Sequence, residues 1–341
     1  MTGTRNTLKI LFLSILICLL FLLNLLAGSV AIPFSEVFSI LAGNPTDNTA
    51  WKYIVLESRF PQAITAAIAG SSLAVTGLLL QTAFRNPLAG PGIFGVNTGA
   101  ALGVAIVMMS FGGTLAAGDI SLNGFVAVIA AALLGAFAVI ALILGVSNVV
   151  RSNTMLLIVG IMIGYLASSA ISLLNFFSTS EGVHAYTIWG MGTFSSVSRE
   201  AILPFSICCL SGLAGSLMLI KPLNSLLLGE NYARNLGISP MKIRTILLLI
   251  TGWLTAIVTA YCGPVGFIGL AVPHIARLLF KTDNHLTLLP ATIIAGAVIA
   301  LLCNLICVIP GNNGIIPLSA VTPLIGAPVI IYIIIKNPSR N

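Results

Sequence analysis

Apolar residues in this chain gather into long blocks, broken by charge, proline, glycine and asparagine. A helix that crosses a bilayer needs about 20 consecutive apolar residues. Ten blocks approach that length: 9–30, 61–80, 92–110, 123–147, 154–175, 200–220, 244–262, 268–280, 288–309 and 317–335. The eighth is short, and its start falls in a Gly/Pro stretch that predicts non-helical backbone. The pattern predicts an all-α, polytopic membrane protein with a single transmembrane domain over 1–341. The first block could instead be a signal peptide, since Arg5 and Lys9 precede it and Ala27-Gly28-Ser29 follows. Its apolar core is longer than the roughly 7–15 residues usual for such peptides.

Composition sharpens this picture. Of the 341 residues, 58% are hydrophobic and 7% are charged, whereas a soluble domain carries roughly 25% charged residues. So little charge cannot cover a water-facing surface of this size. This argues against a soluble enzyme, a disordered chain and a nucleic-acid binder, and makes membrane lipid the surrounding medium. The net charge of +7 comes from 15 Lys+Arg against 8 Asp+Glu, too few for a phosphate-binding face.

The cations instead set an orientation. With ten spans and a cytoplasmic N-terminus, twelve of the 15, from Arg5 and Lys9 to Lys336 and Arg340, fall on the cytoplasmic side. Only Lys52, Arg59 and Arg199 fall outside, and both termini are then cytoplasmic. Glu36, Asp47, Glu57, Asp119, Glu181 and Glu200 lie outside in the same topology.

An internal echo is present. Gly90-Pro91-Gly92-Ile93-Phe94-Gly95 opens span 3 on the cytoplasmic side, and Gly263-Pro264-Val265-Gly266-Phe267-Ile268-Gly269 opens span 8 on the outer side. Equivalent segments on opposite faces are what an inverted repeat of spans 2–5 and 7–10 produces. Gly/Pro-rich helix starts that look alike anywhere are the alternative. Span 2 carries Ala66, Gly70 and Ala74 at four-residue spacing, a row that lets helix backbones approach closely.

Candidate chemistry is sparse. No span centre holds an acidic residue in this topology, whereas an ion-coupled secondary transporter, the runner-up reading, usually keeps ionisable groups there. No GxxxxGK[ST] phosphate loop, HExxH or GxSxG occurs, so neither ATP hydrolysis nor an intramembrane hydrolase finds its residues. No catalytic residue, metal ligand or cofactor is expected. The six cysteines form no CxxC pair. Cys303 and Cys307 share a helix face, but a third ligand is missing nearby, so they read as core hydrophobes. His184 lies outside beside Glu181, Tyr186 and Trp189, and could be solvated or touch a metal chelate. His274 follows Pro273 at a helix break and reads as a capping or backbone-bonding group.

The longest cytoplasmic connection runs from Lys221 to Ile243. Leu226, Leu227 and Leu228, then Ala233 and Leu236, give a short amphipathic pattern punctuated by Gly229 and Gly237. Such a helix either docks a partner or lies on the membrane surface. Small Ala233 suits close insertion into a partner's groove. Outside, Arg59 in Glu57-Ser58-Arg59-Phe60-Pro61-Gln62 could pair with an acidic partner, with Glu57 or with lipid phosphate.

These segments resemble a family. Arg59-Phe60-Pro61 with Gln81 and Arg85-Asn86-Pro87-Leu88-Ala89-Gly90-Pro91 is similar to the start of FecCD-type permeases, the membrane subunits of type II ABC importers for iron-siderophores, haem and vitamin B12. So are Leu228-Gly229-Glu230 with Ala233-Arg234-Asn235-Leu236-Gly237, Gly263 through Arg277, and Pro317 with Val321 through Pro328. The resemblance implies ten helices with the inverted repeat and a homodimer around a central pathway lined by spans 5 and 10. It implies two ATP-binding cassette ATPase subunits docked on 221–243, through Gly229, Glu230, Ala233, Arg234, Leu236 and Gly237. It also implies an extracytoplasmic substrate-binding protein docked at Arg59, and a cytoplasmic gate at Asn153 and Thr154. Two departures stand out. Gln62 replaces the second arginine of Arg-x-Pro-Arg, and Asn304 and Val308 stand where many members carry Asp and Arg. The cargo does not follow from the motifs.

Overall fold

The computed structural model describes residues 2–44, 48–110, 115–117, 120–122, 124–150, 152–309 and 314–336. Fifteen helices follow one another: α1 (Thr2–Leu26), α2 (Phe34–Leu41), α3 (Thr49–Tyr53), α4 (Phe60–Phe84), α5 (Val96–Ala105), α6 (Gly124–Val149), α7 (Asn153–Phe177), α8 (Ser180–Gly190), α9 (Arg199–Met218), α10 (Ile220–Leu228), α11 (Glu230–Asn235), α12 (Pro240–Cys262), α13 (Ile268–Phe280), α14 (His285–Val308) and α15 (Leu318–Lys336). A π-helical stretch, Ile54–Arg59, joins α3 to α4, and a second, Ile106–Ser110, extends α5. One small antiparallel hairpin, Leu115–Ala117 with Ile120–Leu122, leaves the all-α class unchanged.

Among the described residues seven helices are long and apolar enough to cross a membrane, and three shorter apolar ones, Val96–Ser110, Ile268–Phe280 and Leu318–Tyr332, complete ten. Each falls on one of the ten blocks read in the sequence. Short polar residues start many of the helices. Ser152, Thr179, Ser198 and Asn284 each accept a backbone N–H at the first turn of α7, α8, α9 and α14, satisfying donors that lipid could not. α1 packs along α14, with Leu13, Leu20 and Leu25 buried. It therefore packs as part of the bundle.

α4 is the central post, packed by α14, α13, α12 and α9. The row read as close packing makes that contact. A Cβ added to Gly70 would collide with Ala300 and with the Gly296 carbonyl of α14, so only glycine admits this approach.

The inverted repeat is visible in the packing. α4 runs antiparallel to α14, and α12 runs antiparallel to α6, as the contacts Gln62–Asn304 and Thr82–His285 in one pair and Tyr261–Phe125 and Trp253–Phe137 in the other record. The C-terminal half of α4 reaches the start of α13, where Gln81 bonds the Leu270 carbonyl at 3.2 Å. Equivalently, the end of α12 reaches the start of α5, where Thr259 bonds Asn97 at 3.3 Å. A positive-φ residue opens both of these short spans, Gly95 at φ 72° before α5 and Phe267 at φ 65° before α13.

Candidate functional site at the two ends of the bundle

At one end, the α9–α12 connection folds into α10 and α11. Leu223, Leu226 and Ala233 turn inward and are buried. Leu227, Leu228, Tyr232 and Leu236 turn outward at 42%, 68%, 48% and 56% exposure. A single row of leucines on a nine-residue helix cannot all face one way, so the Leu226-Leu227-Leu228 run leaves two outside. That signal was in the sequence; the outward Tyr232 was not. Gly229 separates the two helices at φ 125°, a backbone that side-chain-bearing residues rarely adopt. Gly237, at φ 76°, closes α11, and Ile238 donates to the Ala233 carbonyl at 2.9 Å.

Ala233, expected to suit close insertion into a partner's groove, is fully buried against this chain's own core. The outer surface of α11 is instead Tyr232, Arg234 and Leu236, all exposed. Glu230 faces inward enough to pair with Arg244 of α12 at 2.9 Å, and Arg244 also stands over the Phe84 ring.

Contacts that the sequence did not reveal fix α10. Arg85, in a left-handed conformation at the end of α4, donates to the Leu226 carbonyl at 2.7 Å. Asn224 accepts from the backbone N–H of His285 at 2.8 Å and donates to Asn284 at 2.9 Å.

The candidate gate residues lie at this same end, at the start of α7. Thr154 is exposed, and Ser152 caps the helix through Met155 N–H. Asn153 is the first residue of α7, and its side chain lies outside the described residues.

At the opposite end, Arg59 is 5% exposed. Its Nη1 donates to the carbonyls of Leu25 and Leu26, each at 2.9 Å, and its Nη2 donates to Val30. Two carbonyls at the end of α1 and one in the segment that follows it are thereby held by one planar fork. Arg59 does not pair with Glu57, one of the partners left open by the sequence. Arg199 does, at 2.5 Å, with its own side chain 58% exposed. Gln62 donates to Asn304 at 3.0 Å, and Asn304 donates to Asn24 of α1 at 2.7 Å.

The remaining candidates are quickly placed. His274 bonds the Pro87 carbonyl at 2.7 Å, the backbone role read for it. His184 is exposed on α8. Burial pushes the nearby Tyr186 phenol above its ordinary pKa. Cys303 and Cys307 are buried and free, and among the described residues no three His, Cys, Asp or Glu side chains come together.

A central post, ten apolar helices in two inverted halves, and short helices at one end define a polytopic membrane permease. The chain belongs to the FecCD transport family, whose pattern it matches over residues 15–336. It is a permease of the ABC importer type. The vitamin B12 import system permease protein BtuC of Salmonella paratyphi A (strain ATCC 9150 / SARB42) is 33% identical over 98% of this chain and 96% of its own length. The same-named protein of Salmonella typhi is 32% identical over the same shares. A solved structure described as an inward-facing conformation of a metal-chelate type ABC transporter is 29% identical. It superposes with a TM-score of 0.83 over 96% of this chain and 99% of that one.

Proposed function

We propose that this chain is the membrane-spanning, non-catalytic subunit of an importer of the inner membrane. Two copies would pair around a pathway bordered by α7 and α15, with both termini cytoplasmic. An ATPase subunit would dock on each copy at α10–α11, and a substrate-binding protein at the opposite end. The observation that carries this reading is the outward face of Leu227, Leu228, Tyr232 and Leu236 on short helices at the cation-rich end. Leu228 and Tyr232 stand close to Gly229 and Glu230, for which the resemblance implies ATPase docking. Apolar side chains on an otherwise charged end call for a covering partner.

The exposed Arg199, beside Glu57, is the better candidate than Arg59 for contact with a binding protein's carboxylates. Met155, Ile158, Met162, Tyr165 and Leu324 give α7 and α15 exposed, uncharged faces, which suit a second copy and a bulky cargo.

The cargo we propose is an organic metal chelate. Cobalamin is itself a cobalt chelate, so the names of the curated relatives and of the solved structure support one chemical class. Iron-siderophore, haem and cobalamin all belong to it. The test is co-purification of the neighbouring ATPase with this chain, followed by uptake of cyanocobalamin, a ferric siderophore and haem into proteoliposomes that also hold the binding protein. Failure of any ATPase to co-purify would overturn the reading. Uptake of none of the three would overturn the cargo class alone.

A further inference from the structure

His285 has no exposed surface, yet it makes polar contacts on both edges of its ring. It sits at the first position of α14. Its Nδ1 lies 3.1 Å from Oδ1 of Asn224 on α10, and its Nε2 lies 2.9 Å from the Thr82 hydroxyl on α4. The tautomer with its proton on Nδ1 donates to the Asn224 oxygen, which also accepts the His285 backbone N–H. The Thr82 hydroxyl is shared between Nε2 and the Leu78 carbonyl at 2.9 Å. One imidazole therefore joins α10 to α4 and α14. Arg85 makes a second tie between α4 and the far end of α10, through the Leu226 carbonyl. α11 is held differently: Glu230 pairs with Arg244 of α12. Gly229, at φ 125° and ψ 151°, separates the two attachments.

We infer that Asn224 and His285 are positioning residues that carry movement of the docking helix α10 into α4 and α14 as one body. This rests on the docking role proposed for α10–α11. Bonds of this kind transmit because His285 and Thr82 are buried and the alternative is an unsatisfied polar group.

Spin-label distances test this in the full transporter, reconstituted with its ATPase and binding protein. Labels go on Lys221→Cys, one turn from Asn224, and on Leu286→Cys, both exposed; Cys18 and Cys208 are first replaced by alanine. A second pair, Lys221→Cys with Thr154→Cys, reports movement of α10 against α7. Distances are compared without nucleotide and with ATP plus vanadate. The expected result is a Lys221–Thr154 distance that shifts between the two states, with a Lys221–Leu286 distance that does not. In His285→Ala and in Asn224→Ala the Lys221–Leu286 distance should also shift and broaden. The Asn224 variant, at a half-buried position, covers the case in which His285→Ala fails to fold. A shifting Lys221–Leu286 distance in the unaltered chain would overturn the inference. So would fixed Lys221–Leu286 distances in both variants, or a Lys221–Thr154 distance that never changes. Failure of the ATPase to bind the unaltered chain would overturn the docking role as well, and shows separately in the co-purification.

Discussion

Gln62 donates a hydrogen bond to Asn304, 3.0 Å across the α4–α14 interface. These are two of the positions at which the sequence departs from the charged pattern that its resemblance implies, and the fold places them in contact. Asn304 passes the interaction on to Asn24, which donates to the Leu20 and Leu301 carbonyls. A neutral amide relay thus ties α1, α4 and α14 together near one end. An amide at each position needs no counter-charge, which suits a site where Asn304 and Asn24 are 4% and 6% exposed.

The relay makes a double-mutant prediction. Asn304→Asp alone should lower the melting temperature, because removing or mismatching one partner of a buried pair typically costs about 3–5 kcal/mol. Adding Gln62→Arg should recover a large part of the loss, since a carboxylate then meets a guanidinium. Thermal unfolding of the detergent-solubilised variants reads both. If Gln62→Arg lowers stability further in the Asn304→Asp background, the two side chains do not act as a pair.

Arg59 is expected to behave as a cap on α1. Arg59→Lys keeps the charge but cannot hold three carbonyls with one planar fork, so its melting temperature should fall at unchanged charge. Gly28→Ala should mimic it, because a Cβ on Gly28 would overlap the Arg59 guanidinium. Both variants are read by thermal unfolding and by protease access to the residues between α1 and α2. A melting temperature unchanged in both would leave Arg59 free to serve elsewhere.

Arg199 carries the opposite expectation. Its pair with Glu57 is exposed, and such pairs contribute on the order of 0.2–1 kcal/mol, so Arg199→Glu should leave thermal stability nearly unchanged. It should weaken the binding protein's affinity several-fold at low ionic strength, and less so at high salt, where charges beyond about 10 Å are screened. The measurement is a titration of the binding protein onto nanodisc-embedded transporter at two salt concentrations. Equal affinities for Arg199→Glu and the unaltered chain at low salt would remove Arg199 from the docking surface.

The fold was far more legible than the site, for a physical reason. In lipid every backbone polar group needs an internal partner, so each apolar block long enough to cross becomes a helix, and ten blocks became ten helices. The inverted repeat was readable only as an echo between Gly90-Pro91 and Gly263-Pro264; the antiparallel pairing of α4 with α14 and α12 with α6 gave it substance. The site depended on which way single residues point. Arg59 and Ala233 were chosen for charge and small size, and the fold buries both, because a three-carbonyl cap and a tight turn at Gly229 also want those properties. His285 and Asn224 lie 61 residues apart, and no local pattern joins them.

The docking face yields a contrast within a single short helix. Tyr232 and Ala233 are neighbours, one 48% exposed and the other 0%. Tyr232→Ala and Leu228→Asp remove or spoil outward apolar surface without touching the core, so both should leave the melting temperature within about 0.5 kcal/mol-equivalent of the unaltered chain. Both should cut ATPase co-purification sharply, since central aromatic and apolar anchors commonly contribute 2 kcal/mol or more, roughly a thirtyfold change in affinity. Ala233→Trp should behave differently. Its ring has no room inward, and overpacking a filled core costs typically about 1–3 kcal/mol or more, so the chain itself should lose thermal stability along with ATPase binding. Melting curves and pull-downs on the three variants, with Ile250→Val in α12 as control, separate the cases. A stable Ala233→Trp that loses only the ATPase would mean that α11 turns its other face to the partner, and that Tyr232 and Leu228 are lipid-facing instead.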